Sequence, residues 1–386
     1  MIKFLPYVFA AAAMTTAMVA CSEKENTNGN GNGNVDELPS NVVSGSVTDV
    51  LTLKAGGEYK LDGELIVEAG ATLNIEKGVK LTAIYDDKVD YILVKQGGKI
   101  NAVGTKDEPI IMTSEKEEPG AWGGIHICGY AHTNAESGKG SSEIGGASYG
   151  GNNDSDNSGT LKYIRLEYTG FAFDEEHEAN GISFYGVGNG TTVEYCEAYM
   201  GSDDGFEFFG GSVNASNLLA VNCSYDSFDW TEGWNGKAKS IVAYQQPEGT
   251  IGYDCDCLIE ADNNENNFAA TPVSHPELSD VLLVGNNGAK QGIRLRRGTE
   301  IKLDNAKVCG KAKCIAVESA ETENALKSGK SAITNTKISS KLDSKEGIYT
   351  DELFKAANGN ASETEMSYDA DKILKECTWL GGWSKF

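Results

Sequence analysis

The residues best placed to do chemistry are carboxylates that recur in register. At an offset of 22 residues Asp204 falls on Asp226, Phe206 on Phe228, Glu207 on Asp229 and Phe208 on Trp230; at 24, one repeat earlier, the partners are Asn180, Ile182, Ser183 and Phe184. If Phe206 and Phe208 point inward on a strand, period-two alternation turns Glu207 outward, beside Asp229 of the next repeat at a strand spacing of about 4.8 Å. Carboxylates that close repel, so a bound cation, a proton or an arginine must compensate them. Asp203, Asp204, Glu207, Asp226 and Asp229, with Glu232 nearby, offer the hard oxygen ligands that Ca²⁺ takes. Asp203, Asp204 and Asp226 are also the candidates for acid–base work. The plainer reading is a solvated acidic face with Asp and Asn in turns.

Arginine pairs with this set in one place. In Gly292-Ile-Arg-Leu-Arg-Arg-Gly298, alternation puts Arg294 and Arg296 on one face. Two guanidinium forks can clamp a carboxylate, either on a sugar acid or on the chain's own Asp/Glu ladder. Arg294 is thus a candidate for catalysis as well as for ligand binding. Trp234 is a candidate stacking platform for a sugar ring, whereas Phe206, Phe208 and Phe228 read as core. Asp154-Ser-Asp-Asn-Ser-Gly159 imitates the start of a calcium loop, but position twelve is Arg165 rather than Glu. The four histidines, His126, His132, His177 and His275, are scattered and make no Ser/His/Asp or Cys/His signature. No phosphate-cradling glycine motif is present, so no organic cofactor is expected.

The elements that must position these residues are short strands. The chain has 386 residues, 46 of them glycine and only 7 proline. From about residue 50 it runs in β-branched and aromatic stretches separated by Gly, Asn and Asp, with hardly a helical stripe before residue 360. Phe184, Phe208 and Trp230 are spaced by 24 and 22, and a second track, Tyr195, Leu219 and Val242, by 24 and 23. A period near 23 with no helix between strands points to a solenoid; a propeller needs roughly twice that period. The expected fold is all-β: a single parallel β-helix over residues 45–340, with a loop insertion at about 129–159. The stretch 341–386 reads as a cap, with a helix in Glu363–Cys377 and the aromatic Trp379–Trp383 over the open end of the stack.

Net charge is −24, from 33 Lys+Arg against 57 Asp+Glu, with no long basic run. Such a chain repels nucleic-acid backbones and anionic lipid, and takes up acidic carbohydrate only through a cation or a local arginine cluster. The first residues form an address. Lys3 precedes an apolar run ending Met18-Val-Ala-Cys21, a secretion signal over residues 1–20 whose small residues before Cys21 resemble a lipobox. Cys21 is then the acylated N-terminus, carrying chains such as palmitate, on a Gly/Asn-rich tether over residues 21–44. Ser22-Glu-Lys-Glu25 resembles the signal that sends lipoproteins to the outer face of the outer membrane. Eight cysteines remain, most of them read as buried packing residues; Cys309 and Cys314 are near enough in sequence to close a small loop.

Trp122-Gly-Gly-Ile125, Gly190-Thr-Thr-Val193, Asp203-Asp-Gly-Phe-Glu-Phe-Phe-Gly-Gly211, Phe228-Asp-Trp-Thr-Glu-Gly233, Asn266-Asn-Phe268 and Leu295-Arg-Arg-Gly298 together resemble a family of secreted or lipid-anchored right-handed parallel β-helix proteins of Bacteroidota. The resemblance covers about residues 45–320 and implies the fold and the cell envelope, but no activity; Cys255-Asp-Cys257 departs from the family's pattern. The leading expectation is a non-catalytic surface protein that binds glycan or an envelope or host protein, with Ca²⁺ as its cofactor. The alternatives are a Ca²⁺-dependent polysaccharide lyase or hydrolase working along Asp203–Asp229, and a purely structural display protein. Convergence of these carboxylates with Arg294 and Arg296 in one groove discriminates among them.

Overall fold

The computed structural model describes residues 41–172 and 178–386. The stretch expected to be a signal segment, Cys21 and the expected tether to residue 40, and His177, lie outside the described residues. Among the described residues twenty-five strands form one continuous parallel ladder, a parallel β-helix as expected from the period.

Each middle coil has three faces. Long strands such as Thr192–Tyr199 and Asn214–Val221 carry the first two, bent at one residue in the left-handed region. Tyr163, Tyr195, Asn217, Ser240, Asp280 and Asn305 hold this corner with φ of 51–59°. Asparagine and aspartate tolerate that conformation best among side chains with a Cβ. At the two tyrosine corners the rings stack at 4.4 Å instead. The third face consists of short strands, among them Ile182–Tyr185, Phe206–Phe209, Phe228–Thr231 and Gln291–Arg296.

Register fixes what each face buries. Phe184, Phe208, Trp230, Ala261 and Leu295 form one inward row of the third face, all buried. Rings stack coil on coil in this row, Phe184 on Phe208 at 4.9 Å, and in the neighbouring inward row, Phe206 on Phe228 at 5.4 Å. The expected pairing of this track therefore holds. On the second track Leu219 does pair with Val242, but its partner in the preceding coil is Glu197, Cys196 pairs with Leu218, and Tyr195 holds the corner position that Asn217 holds one coil on. Matching Tyr195 to Leu219 by aromatic or apolar type misplaced the register by two, because Tyr195 stands at the corner and not in the core row.

The C-terminal segment departs from the expected cap. The ladder starts at Val42 and continues past residue 340 through Asp343–Ser344 and Ala361–Ser362. The helix Ala320–Ser328 packs on the strand Lys313–Glu318 and the helix Asp351–Ala356 on Ala361–Ser362, with Phe354 fully buried. The predicted helix is shorter, Ala370–Glu376, and neither it nor the chain beyond it covers the open end. Together they run back along the flank of the second face, where Ile373 and Leu380 pack with Leu219, Val242, Leu282 and Cys309. Trp379 and Trp383 meet the stacked pair Tyr163 and Tyr195 edge-on. Outward positions of this face are apolar for several coils, and burying them outweighs capping an edge.

Lys385 fastens that tail. Its Nζ bonds Glu167 at 2.9 Å and Tyr168 at 3.0 Å, and its backbone N–H donates to Glu197 Oε2 at 2.8 Å. Burial pushes the Glu197 carboxyl up to about 8, against the pull of that N–H and of Arg165. A carboxyl raised above its unfolded value of about 4.3 adds stability that is fully present below that pH and is lost as pH rises to the folded value. Stability therefore declines from this group between about pH 4.3 and 8. Glu197→Gln is expected to flatten the slope of melting temperature against pH across that window, and unchanged slopes would contradict it.

All eight described cysteines are free, seven of them buried. Cys309 and Cys314 do not form the small loop their spacing permits. Cys309 faces the tail on the outer flank, while the Cys314 thiol meets Lys311 and Ser339.

Candidate acidic cleft on the third face

The corner preceding the third face is built from a side-chain ladder. Asn180 Oδ1 accepts the N–H of Asp204 at 3.2 Å, Asp204 Oδ1 that of Asp226 at 2.8 Å, and Asp226 Oδ1 that of Cys257 at 2.6 Å. Each of these side chains spends one oxygen holding the next coil in register. That leaves the second carboxylate oxygen of Asp204 and Asp226 for other work.

The outward row of the third face runs Ser183, Glu207, Asp229, Glu260, Arg294. Together with the corner it floors a cleft of about 400 Å³ lined by Asp203, Asp204, Glu207, Asp229, Glu260 and Asp262, and by Arg296 and Arg297. The excursion at 129–159 builds one wall and folds around its own short antiparallel pair, Gly140–Ser141 with Ser148–Tyr149. Glu143 lines the cleft from it, Tyr149 and Thr133 donate to Glu232 at 2.8 and 2.7 Å, and Asn134 bonds Asn263 at 2.8 Å.

Two halves of this acidic row are compensated differently. Arg294 bridges Glu260 at 2.8 Å and Glu318 at 3.1 Å, Arg296 pairs with Glu260 and with Asp262 at 2.7 Å, and Arg297 holds Asp262 at 2.8 Å. The arginines thus serve the chain's own ladder, as one of the two readings of the Arg-Leu-Arg segment expects. Arg294 does not line the cleft. The other half, Asp203, Asp204, Glu207, Asp226 and Asp229, has no Lys, Arg or His ion pair among the described residues. Oxygens of Asp204, Asp226 and Asp229 lie within 4.8 Å of one another. Asp226 is 1% exposed and its Oδ2 has no hydrogen-bond partner.

Burial is the largest effect on these groups and holds all five carboxyls well above the usual carboxylate range. Neighbouring acids add to it: Asp203 and Asp226 on Asp204, Glu143 and Asp229 on Glu207, and Glu260 on both Asp226 and Asp229. Three carboxylates converging in a rigid sheet, one of them with an unpartnered oxygen, suit a hard divalent cation.

Other candidates fall elsewhere. Trp234 is buried, stacked on Phe208 at 4.1 Å with Nε1 donating to Val213 O, so it offers no face to a sugar. Asp154 turns to His132 Nδ1 at 2.6 Å and Asp156 to the N–H of Tyr130. His126 is buried between Tyr91 and Tyr185, and burial pulls it down to about 4, which keeps it neutral. Sequence reasoning missed Glu143, Glu260, Asp262 and Arg297. Glu260 shares the register of Asp229, with Asp262 two residues further on, but the loops around residues 246–257 and 263–276 stretch the period there to 31 and 34 residues.

The described residues thus form a parallel β-helix with an acidic cleft along one face. Residues 45–384 match the model of the pectate-lyase-like β-helix domain, and the chain belongs to that family. No curated protein and no solved structure matches the chain. The fold supports a carbohydrate-related or a structural role.

Proposed function

We propose that this is a surface lipoprotein whose β-helix binds glycan through a Ca²⁺ ion held in the acidic cleft, without turnover. The observation that carries the reading is the convergence of the Asp204, Asp226 and Asp229 carboxylates, the first two buried and the third partly so, without an ion pair among the described residues. A cation there neutralises the floor and leaves coordination positions for sugar hydroxyl or carboxylate oxygens. The excursion wall and the Arg296–Arg297 end bound the ligand's path. Cys21 and the Gly/Asn-rich tether support anchoring to the outer membrane, with the cleft presented outside.

The binding reading is favoured over a lyase by the state of the arginines. A lyase needs a base that can reach a sugar proton. Arg296 is locked between Glu260 and Asp262, which with its other contacts outweigh burial and raise its pKa, so it holds its proton firmly. Incubation with a panel of uronate and neutral polysaccharides is expected to release no unsaturated or reducing ends, from wild type or Asp204→Ala alike. Release by wild type that Asp204→Ala abolishes would replace binding by catalysis.

A further inference from the structure

Behind the cleft lies a second group of ligand atoms, different in kind. Cys257 Sγ and oxygens of Asp226 and Asp256 lie within 4.8 Å of one another. Gln291 Oε1 is 3.9 Å from the same sulfur, and Asp256 Oδ1 3.4 Å. Cys257 is fully buried on a firmly held backbone. Its N–H donates to Asp226, and its carbonyl accepts from the N–H of Ser227 at 3.1 Å and from Gln245 Nε2 at 3.3 Å. The unpartnered Asp226 Oδ2 belongs to the same carboxylate, 1% exposed.

We propose that Cys257, Asp226 and Asp256, with Gln291 alongside, form a site for a thiophilic divalent cation of the Zn²⁺ class. A tetrahedral ion with a metal–sulfur bond of about 2.3 Å and metal–oxygen bonds of about 2.0 Å sets sulfur and oxygen ligands about 3.5 Å apart. The two sulfur–oxygen separations, 3.4 and 3.9 Å, fall around that edge length. A sulfur ligand selects against Ca²⁺, which takes oxygen only.

Charge points the same way. Lys290 pairs with Asp256 Oδ2 at 2.6 Å, while Lys311 turns its ammonium to the carbonyls of Cys255 and Asp256 and to Asn286. A divalent ion and Lys290 together balance a thiolate and two carboxylates. Binding replaces the S–H bond by a metal–sulfur bond and releases that proton to solvent, with no change of oxidation state. Asp256 and Lys290, both partly exposed, mark the way in.

Asp226 is common to this group and to the cleft floor, so the test uses residues unique to each. The full chain, reduced and stripped of metal, is titrated with Co²⁺ and followed by absorbance. One equivalent is expected to produce a thiolate-to-cobalt charge-transfer band that Zn²⁺ bleaches and Ca²⁺ does not. Cys257→Ser should lose the band, Asp256→Asn should weaken Co²⁺ at least tenfold, and Cys255→Ser and Asp204→Asn should leave it intact. Asp256→Asn alters a partly exposed side chain, so it reports even if Cys257→Ser fails to fold. No band in wild type, a band that survives Cys257→Ser, or an unaltered affinity in Asp256→Asn would each overturn the site. Loss of the Ca²⁺ response in Asp204→Asn with the cobalt band retained separates this inference from the reading of the cleft.

Discussion

Millimolar Ca²⁺ is expected to raise the melting temperature of the metal-stripped chain, and EDTA to reverse the rise. At a hundredfold excess over the dissociation constant the gain is about 2.7 kcal/mol. Asp204→Asn and Asp229→Asn should behave oppositely in the two conditions. Without Ca²⁺ each removes one of several crowded carboxyls and raises stability; with Ca²⁺ each loses most of the increment. The substitution at 204 is structurally mild, since Asn180 fills the equivalent place one coil earlier and its Oδ1 accepts the N–H of Asp204. Asn at 204 keeps the acceptor for Asp226 N–H and deletes only the charge. Melting curves of the three proteins in EDTA and in Ca²⁺ check this, and identical curves for wild type in both would refute the cation.

Trp234→Ala is expected to cost about 3–5 kcal/mol of stability, the range for deleting a fully buried large aromatic. The indole fills the stack beside Phe208 and Trp230, and its N–H satisfies Val213 O. Truncation leaves a cavity in the third face directly beneath the cleft and orphans that carbonyl. Denaturant unfolding should therefore move strongly, while glycan binding at low denaturant falls only as far as the folded fraction does. A stacking platform would give the reverse, with stability within about 0.5 kcal/mol and binding abolished.

The sequence made the coil period legible because aromatic side chains on the third face stack in adjacent coils, and each therefore recurs at one full turn of the solenoid. The same regularity put Glu207 beside Asp229 and Asp204 beside Asp226, and both pairings stand. Register reading stopped where the period did. The loop before Ile259 displaced Glu260 and Asp262 from the expected offset to Asp229, and the one carrying Asn264 to Asn267 displaced Arg294 and Arg296 from those two acids. Those two acids are what occupy Arg294 and Arg296, so the arginines looked available when they were not. The corner at Tyr195 was illegible for another reason. A left-handed backbone residue interrupts alternation without changing composition, and only the pattern Tyr, Asn, Ser, Asp, Asn at successive corners betrays it. The tail's position did carry a signal: Leu219, Val242 and Leu282 are apolar on an outward row and need a cover.

Recognition of glycan through a cation, with release of the glycan unchanged, is the property on which the cleft's role turns. Affinity for immobilised uronate and neutral polysaccharides, measured in Ca²⁺ and in EDTA for wild type and Asp204→Asn, tests it most directly. Wild type is expected to bind in Ca²⁺, to lose binding in EDTA and to be weakened at least tenfold by Asp204→Asn, with the polysaccharide recovered intact. Equal binding in Ca²⁺ and EDTA, or equal binding by Asp204→Asn, would contradict it.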